Sequence, residues 1–407
     1  MDHPHDSHPL HTIQKERAII FILAALQFLH ILDFVIMMPL GPVFMESFKI
    51  NSAEFGLLVS AYSISAGFFG FIGALFLDKF DRKSGLLVLF TGFALGTLLC
   101  AIAPSYYFLL VARIVAGGFG GLLGATVLSI IGDIIPVFRR GKATGVVMSA
   151  FSVSSVVGIP IGLTLANHYG WHFPFYSLAI ASFLLLPVAY FVLPPIRHHL
   201  ETTFQKQSQF KSLVEVLTTK NHFPAFGFMI LMMFGGFTII PFLSPYLVFN
   251  AGLPNDDLPF VYFFGGLFTF FTSRYIGILS DRYGKFNVYK ILSLMAVVPI
   301  VIVTTLTKTS LPVILTVTTV FMIVVSGRMV PALAMVTSAV QPRIRGSFMS
   351  VNSAIQQIAS GAASFLAGAI LVENPDQSFN NYDLVGMISV VCILSSVIVA
   401  KKIKIAG

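Results

Sequence analysis

Asp33 is a carboxylate set in an apolar run, Leu32-Asp33-Phe34, with His30 one turn before it and Gln27 another turn back. An unpaired carboxylate in hydrocarbon costs ~2.5–3.5 kcal/mol on insertion scales, so it must be protonated, paired or facing a wet cavity. A carboxyl whose hold on a proton depends on water and on neighbouring charge is what proton coupling needs, and Asp33 with His30 is a candidate proton site. The matching cation is Arg113, inside Leu110-Val111-Ala112-Arg113-Ile114. By residue count its depth differs from that of Asp33 by up to ~10 Å, at 1.5 Å per residue, a gap that helix tilt and two side chains can bridge. The alternative is a permanent ion pair that only sets packing.

Other polar groups lie in apolar surroundings. Arg328 could hold an anionic group of a ligand, pair with a helix dipole, or snorkel to the headgroups. Asn352, Gln356, Ser360 and Ser364 recur every four residues and form one polar stripe, facing either a cavity or a neighbouring helix. Phe234, Tyr246 and Phe264 lie in stretches rich in Met and aromatic residues, an adaptable surface for lipophilic ligands. Gln27, Arg328, Asn352, Gln356, Phe234, Tyr246 and Phe264 are therefore the candidate cavity residues. Gly117-Gly118-Phe119-Gly120-Gly121 follows no strand and lies in an apolar run, so it reads as close helix packing rather than a phosphate loop.

The elements that position these groups must live in lipid. Apolar residues are 56% of the 407-residue chain and charged residues 10%, with mean hydropathy +0.88, against roughly 45–50% and 25% for soluble domains. Apolar runs long enough to cross a bilayer fall near 18–45, 52–77, 84–103, 106–133, 141–167, 172–193, 222–249, 258–279, 286–306, 311–338, 345–372 and 382–400. They predict an all-α polytopic membrane protein. Residues 1–17 form a tail, 18–193 a first six-helix bundle, 194–221 a polar linker, 222–400 a second six-helix bundle and 401–407 a second tail.

Phe210, Leu213, Val214 and Leu217 predict a short basic amphipathic helix on the membrane surface within the linker. Asn51 and Glu54 read as a cap, and Trp171 as an interfacial anchor. Most of the 25 Lys and Arg fall in the tails and alternate loops, while the remaining loops hold only Lys49 and Lys308. This bias predicts both termini on the cytoplasmic side and accounts for the net charge of +8 through topology and anionic lipid, with no nucleic acid implied. Cys100 and Cys392 suggest neither disulfide nor metal. His3, His5, His8 and His11 could hold a metal weakly, a solvated tail being the simpler reading. The first apolar stretch is long enough to span, which argues against a cleaved signal peptide.

Two charged loops, Asp78-Lys79-Phe80-Asp81-Arg82-Lys83 and Asp281-Arg282-Tyr283-Gly284-Lys285, follow apolar runs at matching places in the two halves. An acid followed by bases at such a position can latch a moving interface, and Asp78 with Arg139 or Arg140, and Asp133 with Arg82 or Lys83, are the candidate pairs. Arg274, about two turns before Asp281, and Arg282 are assigned to the same gate. These two loops, the Arg113 run, Gly158-Ile159-Pro160-Ile161-Gly162 and the turn Gly170-Trp171-His172 together resemble the major facilitator superfamily, in its twelve-span drug:proton antiporter branch with sugar-efflux and purine-nucleoside-efflux permeases. Ala74 and Asp81 depart from the usual glycines, and His172 replaces an Arg.

The resemblance covers nearly the whole chain and implies two six-helix bundles around a central cavity. It implies a proton-coupled exporter of a small amphipathic drug or metabolite, placed in a bacterial inner membrane and working by alternating access. It also places Arg113 in a proton relay and makes Gly158, Pro160 and Gly162 an antiporter-like motif. No cofactor beyond the proton gradient is expected, and each chain is expected to function as a monomer. Uptake or facilitated diffusion of an anionic metabolite is the alternative, motivated by two buried Arg against one Asp. No HExxH, Gly-x-Ser-x-Gly or paired catalytic acids suggest an enzyme.

Overall fold

The computed structural model describes residues 13–73, 80–196 and 205–403. In hydrocarbon every backbone polar group must be satisfied within its own segment, and apolar runs of this length solve that as helices. Local signals set their ends. Asn51 and Glu54 cap reciprocally, each backbone N–H donating to the other's side-chain oxygen at 2.9 Å. Asp81, one of the departures from the loop pattern, caps the next helix by accepting from the Ser84 N–H at 3.0 Å, and it accepts from the Ile196 N–H at 2.7 Å.

The first half comprises α1 (Ile13–Ile36), α2 (Gly41–Phe48), α3 (Ser52–Gly73), α4 (Arg82–Ala101), α5 (Tyr106–Ile134), α6 (Val137–Val153), a π-helical turn Ser154–Gly158, α7 (Ile159–Tyr169) and α8 (His172–Val192). A linker helix, α9 (Gln205–Thr218), follows. The second half comprises α10 (Phe223–Phe237), α11 (Ile240–Phe249), α12 (Leu258–Tyr283), α13 (Lys285–Thr304), α14 (Leu311–Gly327), α15 (Met329–Ser338), α16 (Arg345–Ile370) and α17 (Tyr382–Ala400). A short antiparallel ribbon pairs Val372 with Asn380 and Glu373 with Phe379 before α17. Among the described residues, ten helical segments, counted across the short breaks at 238–239 and at Arg328, are long and apolar enough to cross a membrane, while α12 and α16, 26 residues each, have the length but more polar character.

Several expectations change. The first, seventh and tenth spans are not continuous. The first breaks after Ile36 and restarts at Gly41-Pro42, the seventh after Phe237 with a restart at Ile240-Pro241, and the tenth at Arg328. Proline suits the first turn of the restarted helix, where its missing N–H costs nothing, but not the interior of a long one. Trp171 is no lipid-facing anchor. It is 6% exposed, stacked on His172 and enclosed by Phe44, Phe48 and Phe175. The linker helix forms, but it docks on protein through Val216 and Leu213 and through Glu215 paired with Arg343 at 2.6 Å, leaving Val214 and Leu217 outward.

The halves meet chiefly along α3 and α16, through small residues. A methyl added at Gly56 would stand 2.8 Å from the Ser364 carbonyl, and one at Gly67 would stand 2.6 Å from Ile358. Away from the charged loops the halves are also tied by Ser52 Oγ donating to Leu371 O at 3.1 Å and Asn167 Nδ2 donating to Asn255 O at 2.9 Å. Phe55 and Phe242 meet edge-on there at 5.6 Å. The far end is thus closed by inter-half packing.

Candidate functional site

Four helices of the first half, α1, α3, α4 and α5, bring their buried polar groups together. Asp33 and Arg113 are 0% and 1% exposed. Arg113 Nη1 donates to Asp33 Oδ2 at 2.8 Å, and Thr97 Oγ1 donates to Asp33 Oδ1 at 3.0 Å. The guanidinium lies 4.3 Å from the Tyr62 ring centre, and Phe34 stacks on the other side of that ring at 5.2 Å. α3 can come this close because Gly117 and Gly121 of α5 abut the backbone at Tyr62 and Ala66, where any side chain would collide. Thr97 and Tyr62 were missed in the sequence. Each is a polar residue in mid-span, which is the signal that could have marked them.

Towards the charged-loop end the site continues as a polar seam. Gln27 Oε1, both ring nitrogens of His30, the Tyr62 hydroxyl and Arg113 Nε are buried without a partner among the described residues. His30 and Gln27 face Gly120 and Gly124 of α5, and His30 meets Phe93 edge-on at 5.7 Å. Buried polar groups are rarely left unpaired, so a run of them marks a path for water or a ligand. A cavity of about 90 Å³ lies beyond, between Ala66, Gly121 and Thr126 of the first half and Ser350, Ala354 and Gln357 of the second, with Arg82 in its lining.

The antiporter-like motif packs beside the acid. The π-helical turn takes up the bend before Pro160, and methyls at Gly158 and Gly162 would each stand 2.7 Å from Leu32 and Ile36 of α1. Gly266 of α12 faces the Ser155 backbone, so this bend also touches the second half.

The charged loops are arranged partly as expected. Arg82 pairs with Asp133. Lys83 instead lies over the Tyr190 ring at 4.6 Å. Asp78 lies outside the described residues, as do His3, His5, His8 and His11. Arg139 pairs with Glu16 at 2.9 Å, and Arg140 Nε donates to Ile135 O at 2.8 Å. Asp281 and Arg282 form the last turn of α12, with Arg282 over Tyr283 at 5.4 Å, and Arg274 is exposed on the same helix.

The expected cavity residues do not converge on one space. Tyr246 is buried and packed at a tilt against Tyr382 at 4.4 Å, so it belongs to the second half's packing. Phe264 is exposed beside Phe263, and Phe234 and Gln356 are half-buried. Asn352 is fully buried, and both its amide atoms lack a partner among the described residues. Arg328 is buried at the break between α14 and α15. There its Nε reaches Val325 O at 3.5 Å, while Nη1 has no partner among the described residues. Ser364 in the stripe donates to Ser360 O at 2.8 Å and to Phe237 O at 3.4 Å, satisfying itself between helices.

The sequence model of the Major Facilitator Superfamily matches residues 23–399. The chain belongs to the major facilitator superfamily. It is a multi-pass integral membrane protein. Among curated relatives it is 32% identical over 165 residues to the uncharacterized MFS-type transporter YceJ of Bacillus subtilis (strain 168), covering 40% of this chain and 42% of that one. It is 25% identical over 240 residues to the putative transporter AraJ of Escherichia coli (strain K12), covering 57% and 58%. The matched part thus spans about half the length of these relatives. Among solved structures, a bacterial homolog of the human lysosomal transporter Spinster, inward-facing and unoccupied, superposes with TM-score 0.75 at 16% identity over 98% of both chains. A D-xylose-proton symporter does so with 0.75 at 18% identity over 94% of this chain and 97% of that one. At these identities the likeness is one of fold.

Proposed function

We propose that this transporter exports a small amphipathic drug or metabolite in exchange for protons, with Asp33 as the proton-binding group. The observation that carries the reading is the buried Asp33–Arg113 pair, held at 2.8 Å with Thr97 completing the carboxylate's hydrogen bonds. An ionised Asp33 is tolerated there only while Arg113 neutralises it. A proton on Asp33 frees the guanidinium, and the uncompensated cation then favours a rearranged state that lets water or a substrate group reach it. His30 and Gln27, one and two turns away and unpartnered, provide groups that can relay the proton through the seam.

On this reading the charged-loop end and both termini face the cytoplasm of a bacterial inner membrane, an orientation that the bias of Lys and Arg supports. The far end is then external and closed, and the small cavity lies on the cytoplasmic side. The proton gradient is the whole driving force, and one chain holds the whole pathway, so a monomer suffices. The test is efflux in vesicles driven by an imposed proton gradient. Native protein moves a fluorescent amphipathic substrate against its gradient, and Asp33→Asn does not; gradient-driven transport by that variant at the native rate would remove Asp33 from the mechanism.

One observation favours a second reading, uptake or facilitated diffusion of an anionic metabolite. Arg328 is a buried cation with Nη1 unpartnered among the described residues. Under that reading Arg328→Gln abolishes accumulation of an organic acid and leaves proton-driven efflux unaffected.

A further inference from the structure

A second cleft, of about 400 Å³, lies between α1 and α6 within the first half, on a different face from the space between the halves. Its walls are graded along the helix axes. Nearest the charged-loop end stand Glu16, Arg17, Arg139 and Lys142, and one turn deeper stand Ile20, Phe21 and Val146. Phe21 is 73% exposed and Val146 43%, so the apolar part is open sideways, where a chain spanning a membrane meets acyl chains.

The charges do not cancel. Glu16 is occupied by Arg139, through contacts of 2.9 and 3.2 Å. Arg139 Nε is nevertheless buried without a partner among the described residues, and Arg17 and Lys142 are exposed at the cleft. Among the described residues lining the cleft, three cations therefore face one carboxylate that is already engaged. A cleft with a cationic mouth and a lateral apolar wall one turn, about 5 Å, further in matches a molecule carrying an anionic head on a hydrocarbon chain. A free anion would use the mouth alone.

We propose that this cleft is a binding site for an anionic phospholipid, its phosphate held by Arg17, Lys142 and Arg139 Nε and an acyl chain lying along Phe21 and Val146. The site is separate from the Asp33 pair and holds whatever the direction of transport. A lipid bridging the ends of α1 and α6 would brace the helix that carries Asp33 against the helix that carries the Gly158–Gly162 bend.

The experiment is native mass spectrometry of the purified full chain in detergent, titrated separately with phosphatidylglycerol, phosphatidylcholine and inorganic phosphate. Native protein retains phosphatidylglycerol in preference to phosphatidylcholine. Arg17→Gln/Lys142→Gln weakens that retention about tenfold or more, and Phe21→Asn weakens it too, with thermal melting confirming that the variants fold. Should the double variant fail to fold, Arg17→Gln alone carries the test with a smaller effect. Equal retention of the two lipids, or unchanged retention by the basic-residue variants, overturns the site. Displacement of phosphatidylglycerol by inorganic phosphate, with Phe21→Asn indistinguishable from native protein, would make the occupant a free anion and overturn the lipid assignment.

Discussion

Replacing one member of the Asp33–Arg113 pair leaves a charge stranded in the membrane, and the size of that effect follows from the geometry. Both side chains are at most 1% exposed and meet at 2.8 Å. At an effective dielectric near 20, unit charges about 4 Å apart attract by ~4 kcal/mol, and removing one partner of a buried pair costs ~3–5 kcal/mol because the other stays desolvated. Asp33→Asn and Arg113→Gln should therefore each destabilise the protein by ~3–5 kcal/mol. The double variant, with no charge left to strand, should recover most of it, so the two single effects are far from additive. Equilibrium unfolding in mixed micelles measures the cycle, and gradient-driven efflux in vesicles measures function on the same four proteins. Stability returns in the double variant while proton-driven transport does not, and that dissociation separates coupling from packing. Additive single effects would refute the energetic reasoning. A double variant that still transports against the gradient would reduce the pair to a structural brace.

Two further outcomes follow from positions away from the acid. Gly117 abuts the Tyr62 backbone, so Gly117→Val forces α3 and α5 apart and should cost ~1–3 kcal/mol, read as a lowered melting midpoint with weakened transport. Glu373 lies on the ribbon outside the spans, and burial pushes its carboxyl above the ordinary value of 4.5, opposed in part by the Ser52 N–H. A raised carboxyl favours the folded state while protonated, so its contribution is present below the ordinary value and lost as pH rises through the raised one. The melting midpoint of native protein should therefore fall relative to Glu373→Gln between acid and neutral pH, and parallel curves would contradict this.

Much of the architecture was legible because lipid leaves the chain few options. A long apolar run bounded by charge must be a helix, and twelve of them in two similar sets gave the bundle plan. The acid, its arginine and the Arg82–Asp133 pair were legible because a charge out of place needs a reason. The breaks were not. Pro42 and Pro241 were plain in the sequence, but a proline inside an apolar run signals a kink or a restart equally, and only the packing of Gly41 against Pro245 and Phe55 decides for a restart. Trp171 misled because an aromatic beside Tyr and His at a span boundary suits the interface, whereas Phe44, Phe48 and Phe175 close over it. The expected cavity scattered because residue type does not reveal which face of a buried helix looks inward. Tyr246, packed against Tyr382, satisfies the same pattern as a ligand-facing aromatic.

The two breaks at proline carry a consequence for how the acid could sense the state of the far end. α2 and α11 begin the same way, with a proline in the first turn after an interrupted first helix of each half, and these two tips touch. A methyl on Gly41 would stand 2.7 Å from Pro245. Closure there rests on short pieces joined to the helices below by turn-type hydrogen bonds, such as Gly41 N–H to Met38 O at 3.1 Å and Ile239 N–H to Gly236 O at 3.1 Å, rather than by an unbroken helical ladder. Asp33 sits within one turn of the end of α1 at Ile36, directly before the break, while Leu32 and Ile36 are gripped by Gly158 and Gly162 of the bent helix. Separation of the tips would therefore act on the residues on either side of the acid before it acted on the rest of α1. Small residues at 158 and 162 hold the acid's helix at contact distance from the bent helix, and the one at 41 lets the two tips meet.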